Sequence, residues 1–221
     1  MLQPMKRGLD IGQLKEIQKS IAKGISLKDD FCEIKSIAGF DLAFQGKKVI
    51  CSAVVLDYNT FEILESKYII TEEVMPYSQK FVCFREAPAY IEAFKELEIQ
   101  PDILMLDGQG AMHPKVNGIA SHVGVLLNKP CIGVSSKLVF GKLDVDNIVF
   151  EDKIVGKALK TKDFANPIFV SPGHKLSLDS AVEITQKCLR GHKMPEPIHA
   201  AHNYVIKLKR KFSPESDHKV L

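Results

Sequence analysis

Three acidic residues occupy places in the sequence from which their carboxylates could bind a metal ion. Asp41 interrupts the apolar segment GFDLAF, Glu86 follows an aromatic residue and an arginine, and Asp107 ends the apolar segment ILML. A buried, unpaired charge within a strand is costly, and an acid at the carboxyl end of a strand lies where α/β folds place their sites. Three carboxylates without a thiol suit a hard cation such as Mg²⁺ or Mn²⁺, which bridges phosphate oxygens and activates water.

Each of these residues also has a purely structural explanation. Asp41 could face solvent on an alternating strand, and Asp107 could be a turn residue before a glycine. Glu86 could lie in the first turn of a helix, where the helix dipole favours a negative charge. Both explanations stay open for each residue taken alone.

The first half of the chain predicts a helix followed by an antiparallel meander. Apolar residues at helical spacing indicate a helix over Ile11–Ala22. Three strands are predicted over Ser36–Phe44, Lys48–Asp57 and Phe61–Thr71. The links between them are short, and short links join antiparallel neighbours.

The second half alternates helices and strands. Helices are predicted over Glu86–Leu97 and Ile119–Leu127, each followed by a short apolar strand, Ile103–Leu106 and Cys131–Val134. This alternation favours a parallel crossover. Further strands are predicted over Lys153–Leu159 and Ile168–Ser171, and further helices over Leu178–Leu189 and Ile198–Lys209.

The order of these elements favours a ribonuclease-H-like α/β fold. Its central mixed sheet would have three antiparallel strands followed by parallel strands, with helices on its faces; a generic α/β domain is the alternative. In a ribonuclease-H-like sheet, the three carboxylates named above would converge at one edge. We expect a single domain over 1–221, with an N-terminal helix in 1–30 and a flexible tail over 211–221.

Composition excludes several classes of protein and leaves the partner open. The chain has 221 residues, 45% of them hydrophobic, and a formal net charge of +3. These values exclude a disordered chain, a collagen-like chain and a histone-like binder of polyanions. Residues 81–150 carry six basic and eight acidic side chains, whereas 151–221 carry 13 and eight. An acidic middle with a basic C-terminal third is typical of a metal site beside a polyanion-binding face.

Cysteine usage and hydropathy point to the cytoplasm. The five cysteines include no C-x-x-C pair, which argues against a structural zinc site and a disulfide framework and indicates reduced thiols. We find no signal peptide and no apolar run long enough to span a membrane, so we expect no membrane partner.

Four segments together have a specific pattern. They are GFDLAF at 39–44, MPYSQKFVCFREAP at 75–88, PDILMLDGQGAMHPKVNG at 101–118 and PCIGVSSKLVFG at 130–141. With this spacing, the chain resembles the endonuclease V family of nucleases, which recognise deaminated bases, chiefly inosine. The resemblance covers roughly residues 35–205.

The resemblance implies an activity and a set of site residues. The family cuts the second phosphodiester bond 3′ to the deaminated base and leaves a 3′-hydroxyl and a 5′-phosphate. Carried onto this sequence, the metal-binding and catalytic carboxylates are Asp41, Glu86 and Asp107, with His202 as an auxiliary catalytic residue. The implied cofactor is Mg²⁺, for which Mn²⁺ substitutes. The implied substrate-binding residues are Tyr77, Pro76, Lys80, Val82, Gly108, His113 and Gly118.

The roles of these substrate-binding residues differ. Tyr77 resembles the wedge aromatic that fills the gap left by a flipped base; the alternative is a core tyrosine. Gly108 and Gly118 match positions where the family's backbone approaches the base, which is then recognised through N–H and C=O groups. His122 also matches a family histidine, and a structural role is its alternative.

Two departures from the family pattern bear on specificity. The wedge reads Pro-Tyr-Ile-Pro-Gly in much of the family, and here Ser78, Gln79 and Lys80 replace its last three residues. A Cβ at the glycine position could narrow the pocket, or the ammonium of Lys80 could contact a phosphate. The family's catalytic lysine position is Ser136 here, and Lys137 follows it one residue later. Lys137 is the candidate for the catalytic lysine if the loop adjusts; the alternative is that the shift points its ammonium away from the phosphate.

Three functions follow from the sequence. The first is a DNA repair nuclease that acts on strands containing deoxyinosine, as a monomer in the cytoplasm. The second keeps the catalyst and acts on RNA that contains inosine, because 2′-hydroxyl contacts are not visible in a sequence. The third is a non-catalytic nucleic-acid-binding protein of the same fold, against which the intact carboxylates argue.

Overall fold

The structure, a computed structural model, describes residues 10–111 and 118–213. Its strands are β1 (Ser36–Gln45), β2 (Lys48–Asp57), β3 (Ile63–Glu72), β4 (Ile103–Asp107), β5 (Cys131–Ser135), β6 (Lys142–Asp144), β7 (Asn147–Phe150), β8 (Lys153–Leu159) and β9 (Ile168–His174). Its α-helices are α1 (Ile11–Gly24), α2 (Val82–Lys95), α3 (Ile119–Leu127), α4 (Leu178–Lys187) and α5 (Glu196–Lys211). A short 3₁₀ helix, Gln79–Phe81, precedes α2. Within the described ranges, no helix is long and apolar enough to cross a membrane.

One mixed sheet runs through the molecule in the order β3-β2-β1-β4-β5-β9-β8-β7-β6. The predicted meander of β1, β2 and β3 is antiparallel, and β4 and β5 are parallel to β1. The four remaining strands are antiparallel to their neighbours, so the expectation of parallel strands is wrong beyond β5. Short links join these strands, and a parallel connection needs a much longer crossover.

Helices cover both faces of the sheet because β1 is apolar on both sides. Ala38 and Phe40 face α2 and α3, and the ring of Phe40 meets that of Tyr90 edge-on at 6.3 Å. Ile37 faces the other side and packs with residues of α4 and α5. Successive side chains of a strand point to opposite faces of the sheet, so β1 contributes to an apolar layer on each face.

Helix boundaries differ from the predicted ones in ways that matter for the site. α2 begins at Val82, four residues before the predicted start, so Glu86 lies in its second turn and not its first. No side chain caps this N-terminus, which removes the sequence signal that usually marks a helix start. α1 has such a signal, a capping box between Asp10 and Gln13. α5 extends to Lys211, and 214–221 of the predicted tail lie outside the described residues.

A close backbone approach fixes α5 against the sheet. A Cβ on Gly39 of β1 would lie 1.8 Å from the carbonyl oxygen of Pro197, in the first turn of α5. One turn further on, the Ser52 hydroxyl of β2 donates a hydrogen bond to the carbonyl of Ala201 at 2.8 Å. These two contacts determine where the next residue of α5, His202, meets the sheet.

We predict that Gly39→Ala destabilises the protein by about 3 kcal/mol or more, because the new methyl group would push α5 away from β1. The free energy of unfolding from urea titration measures the effect. Gly46→Ala is the matched control: a Cβ added there would meet no described atom within 4 Å beyond its chain neighbours, and only the φ of +60° opposes the change. Equal losses in the two variants would contradict this explanation of Gly39.

Candidate active site

The sheet brings two of the predicted carboxylates together at one edge. β1 and β4 pair in parallel with Phe40 opposite Leu106, so Asp41 and Asp107 follow on adjacent strands at the same level. Asp41 is 7% exposed, so the solvent-facing alternative for this residue is wrong. Glu86 reaches the same region from α2, which packs over this edge of the sheet.

The three carboxylates act on one another electrostatically. Burial, with the negative charges of Asp107 and Asp41, raises the pKa of Glu86 to about 7 against the opposing influence of Arg85. Burial and the charge of Asp41 raise the pKa of Asp107 to about 6, against the influence of His202. In the absence of a cation, two of these groups therefore hold protons in a range where ordinary carboxylates are ionised.

Asp41 is held on both of its oxygens. Oδ1 accepts a hydrogen bond from the backbone N–H of Leu42 at 2.8 Å, and Oδ2 lies 2.7 Å from Nδ1 of His202. Burial raises the pKa of Asp41 more than these two hydrogen bonds lower it. The imidazole of His202 is 58% exposed, so it connects a buried carboxylate to solvent.

In the described conformation the side chains do not form a finished coordination sphere. Within residues 10–111 and 118–213, no group of three or more His, Cys, Asp or Glu side chains is arranged to hold a metal ion. Each carboxylate oxygen of Asp41 has a hydrogen-bond partner within the protein in this conformation. The predicted ligands therefore share one electrostatic environment without being closed around one point.

A cavity of about 210 Å³ opens beside Glu86 and Asp107. It lies between the start of α2, the loop after β4, the start of α3 and the loop after β5. The predicted residues that line it are Tyr77, Lys80, Val82, Glu86, Asp107, Gly108 and Gly118. Pro76 is exposed and is not among its lining residues. His113 lies outside the described residues.

The glycines of the cavity are required first by the chain's own packing. A Cβ on Gly118 would lie 2.0 Å from the carbonyl oxygen of Gln109, and one on Gly108 would lie 2.3 Å from Cγ2 of Ile119. The N–H of Gly108 donates to Val134, and that of Gly118 donates to Gly110. Both N–H groups are therefore already used within the protein, and recognition of a base through the backbone near these glycines stays a prediction.

Tyr77 lies at the rim of the cavity and is 66% exposed, so the alternative of a core tyrosine is wrong. The guanidinium of Arg85 lies 5.8 Å from the Tyr77 ring centroid and 3.7 Å from that of Phe44. Arg85 is itself held by Glu73, whose Oε2 lies 2.9 Å from its Nη2. Arg85 belongs to one of the motif segments, but no role was predicted for it from the sequence.

The structure places Lys137 in the loop after β5, outside the lining of the cavity. Its side chain is exposed and is not among the residues that line the cavity. Its carbonyl accepts hydrogen bonds from Nε2 of Gln109 at 3.4 Å and from the hydroxyl of Ser135 at 2.9 Å. The contribution of Lys137 that the structure shows is to the loop after β5.

Several lining residues were not predicted. Gln109 is the most distinctive of them, because it is a polar side chain only 9% exposed. Its place between two glycines, two residues after Asp107, was a usable signal in the sequence. The other lining residues without a predicted role are Gln79, Cys83, Gly110, Ile119, Ser135, Val139 and Phe140.

Two buried groups near the site remain uncharged. Burial lowers the pKa of His122 to about 4, and its ring meets that of Phe84 edge-on at 5.1 Å, which supports the structural role. Burial, with the charge of Glu86, raises the pKa of the Cys83 thiol to about 12. His122 therefore belongs to the packing beneath the cavity, and Cys83 lines the cavity as an uncharged thiol.

Comparison with known proteins identifies the family. The family model described as Endonuclease V matches residues 19–203. The endonuclease V of Dictyoglomus turgidum is 37% identical over 197 residues, which cover 86% of each chain. That of Thermofilum pendens is 36% identical over 221 residues, which cover 96% of this chain and 95% of the relative.

Solved structures agree with this result. The endonuclease V of Bacillus subtilis superposes with a TM-score of 0.87 at 28% identity, covering 98% of this chain and 99% of that one. The endonuclease V of Ciona intestinalis, in complex with a 24-mer DNA containing an inosine followed by a ribo-adenosine, superposes with a TM-score of 0.83 at 26% identity. It covers 92% of this chain and 99% of its own. The chain therefore belongs to the endonuclease V family and is a nuclease.

Proposed function

We propose that this protein is a metal-dependent endonuclease that recognises inosine in a DNA strand and acts in DNA repair. It hydrolyses the second phosphodiester bond 3′ to the inosine and leaves a 3′-hydroxyl and a 5′-phosphate. The observation that carries this proposal is a cavity lined by Glu86 and Asp107, both coupled electrostatically to Asp41, with an exposed tyrosine at its rim. The inosine-containing DNA bound to the Ciona relative supports the choice of base.

The residues fit a divalent cation in donor type and in charge. Asp41, Glu86 and Asp107 offer carboxylate oxygens, the donors that Mg²⁺ and Mn²⁺ prefer. Burial raises the pKa of all three carboxylates, and repulsion by neighbouring carboxylates adds to this at Glu86 and Asp107. A nearby cation would reverse that effect. We therefore assign these three residues as the metal ligands, with Mg²⁺ as the ion and Mn²⁺ as its substitute.

A bound divalent ion supplies Lewis-acid activation of water and neutralises the departing 3′-oxygen. The protein's own residues would orient the attacking water and transfer a proton. Asp41 orients the attacking water, and His202, in contact with Oδ2 of Asp41, relays a proton between the buried edge and solvent. The exposure of the His202 imidazole suits this auxiliary role.

The cavity would receive the flipped base while Tyr77 fills the gap in the strand. Gln109 is the buried polar side chain that can hydrogen-bond a base there. Lys80 stands where much of the family has glycine, and it lines the same cavity. We propose that its ammonium contacts a phosphate at the rim, because its carbonyl is fixed by Gln18 at 3.0 Å and its side chain is exposed.

An inosine-specific endoribonuclease is the second candidate. The strand bound by the Ciona relative carries a ribonucleotide directly after its inosine. Cleavage of DNA and RNA oligonucleotides of one sequence, in competition, separates the two candidates. The ribonuclease-H-like classification of the fold also stays a proposal; the strand order β3-β2-β1-β4-β5 supports it.

We predict that Asp41→Asn and Asp107→Asn each reduce cleavage of an inosine-containing oligonucleotide by about a hundredfold or more, because each removes a charged ligand of the ion. Single-turnover rates in Mg²⁺ measure the effect. Glu33→Gln is the control, since that carboxylate is 80% exposed. A wild-type rate no higher than that of Asp107→Asn would refute the proposed activity.

We predict that Glu86→Gln stabilises the metal-free protein at alkaline pH. The folded-state pKa of Glu86 is raised to about 7 from 4.5, so its contribution to stability is complete below pH 4.5 and lost as the pH rises through 7. The variant should be more stable than the wild type above pH 7, by up to about 3 kcal/mol, and equal to it near pH 4.

Melting temperatures in a chelator across this pH range measure the difference. Adding Mn²⁺ should raise the melting temperature of the wild type more than that of Glu86→Gln. Glu92→Gln, an exposed carboxylate on the same helix, is the control. If Glu86→Gln were less stable than the wild type at pH 8, that result would contradict the raised pKa of Glu86.

We predict that Tyr77→Ala weakens binding of an inosine-containing strand by about 1–3 kcal/mol, the scale of one base–aromatic stack. The melting temperature should not change, because the side chain is mostly exposed. Fluorescence anisotropy on an Asp107→Asn background keeps the strand intact. Tyr77→Phe, which retains the ring, should bind as the parent does, and unchanged affinity in Tyr77→Ala would refute the wedge.

A further inference from the structure

The loop over 160–167, here called the β8–β9 loop, presents an aromatic side chain to solvent. Phe164 is fully exposed, with a relative exposure of 106%. Single exposed apolar residues are common on protein surfaces and carry no argument by themselves. The backbone at this residue is what makes the exposure informative.

Phe164 occupies a turn position that favours glycine. The N–H of Ala165 donates to the carbonyl of Lys162 at 3.4 Å, which closes a four-residue turn with Phe164 as its third residue. Its φ is +62°, in the left-handed region, where glycine or asparagine is usual and a bulky side chain is unfavourable. Folding alone therefore gives no reason for phenylalanine at this position.

A second phenylalanine with the same backbone conformation shows the contrast. Phe61 also has a φ of +62°, in the turn between β2 and β3. Its ring packs against Tyr58 at 6.5 Å and lies 5.2 Å from the guanidinium of Arg190. Packing therefore offsets the backbone conformation at Phe61, whereas the full exposure of Phe164 provides no such gain. Local strain without a folding benefit points to a function.

The sheet register places the β8–β9 loop at the edge that carries the carboxylates. Asp107 lies opposite Val134 at the end of β5, and the next residue, Ser135, pairs with Phe169 of β9. β8 then pairs Leu159 with Ile168, so the loop that joins the two strands leaves the sheet at this same edge.

The β8–β9 loop has one positive charge in excess, because Lys160 pairs with Asp163 at 3.4 Å and Lys162 is the second lysine. Lys162 is exposed and near enough to His199 to lower the pKa of that imidazole, after the larger effects of burial and His192. His199 lies one helical turn before His202, which contacts Asp41. The loop therefore faces the substrate side of the molecule and not a remote surface.

We propose that Phe164 stacks on a nucleobase of the substrate strand outside the inosine cavity, and that Lys162 contacts a neighbouring phosphate. This inference rests on the proposed function and extends it to the path of the strand beyond the site of cleavage. Base–aromatic stacking is tolerant of sequence, because every base has a π-face. Phe164 would therefore hold the strand without reading its bases.

Phe164→Gly tests the proposal, since glycine suits the turn and removes the ring. We expect binding of an inosine-containing strand to weaken by about 5- to 150-fold on the Asp107→Asn background. The melting temperature should stay equal or rise, because the turn is relieved of strain. Phe164→Trp, which keeps an aromatic ring, should bind the strand as the parent does. Ile154→Ala, which removes a side chain 55% exposed at the other end of β8, should bind as the parent does.

A second readout separates this inference from the proposed function. Phe164→Gly should weaken binding of strands with and without inosine by the same factor, whereas Tyr77→Ala should reduce the preference for inosine. Wild-type protein without any preference for inosine would refute the proposed function. A wild-type preference together with full affinity in Phe164→Gly would refute this inference alone, as would a loss of affinity accompanied by a lower melting temperature.

Discussion

The parallel pairing of β1 with β4 determines where this protein can perform chemistry. It sets Asp41 beside Asp107, and α2 adds Glu86 from above the sheet. Each carboxylate loses solvent there and gains a like-charged neighbour, which is an unfavourable arrangement for an apo protein. The surrounding structure has to supply enough packing to hold these groups together, and the apolar layers on both faces of β1 do so.

The placement of α5 is the second condition for the site. Gly39 lets the first turn of this helix lie directly on β1, and that contact carries His202 to Asp41. The absence of a Cβ on Gly39 is thus a condition for the hydrogen bond between His202 and Asp41. The same logic applies to Gly118, whose missing Cβ lets the start of α3 close against the loop after β4.

The sequence predicted those features that depend on local pattern. Asp107 could be placed because it ends an apolar strand, and the meander could be predicted because its links are short. The antiparallel extension beyond β5 was missed, since β6 and β7 have only three and four residues and offer little periodicity. The reason for glycine at 118 was also beyond prediction, because the atom that excludes a Cβ comes from a separate loop. Lys137 was proposed from a motif shifted by one residue, and local spacing cannot say where such a side chain points.

The carboxylates also govern the chemistry of sulfur at this edge. Cys83 lines the cavity and Cys51 lies in the strand beside Asp41, and both thiols are buried. Burial, together with the negative charge of Glu86, raises the pKa of each, so neither thiol forms the nucleophilic thiolate at neutral pH. Oxidation and alkylation both begin with the thiolate, and these two sulfurs should resist both. Because burial is the larger cause for both cysteines, this resistance should persist when a cation neutralises the carboxylates.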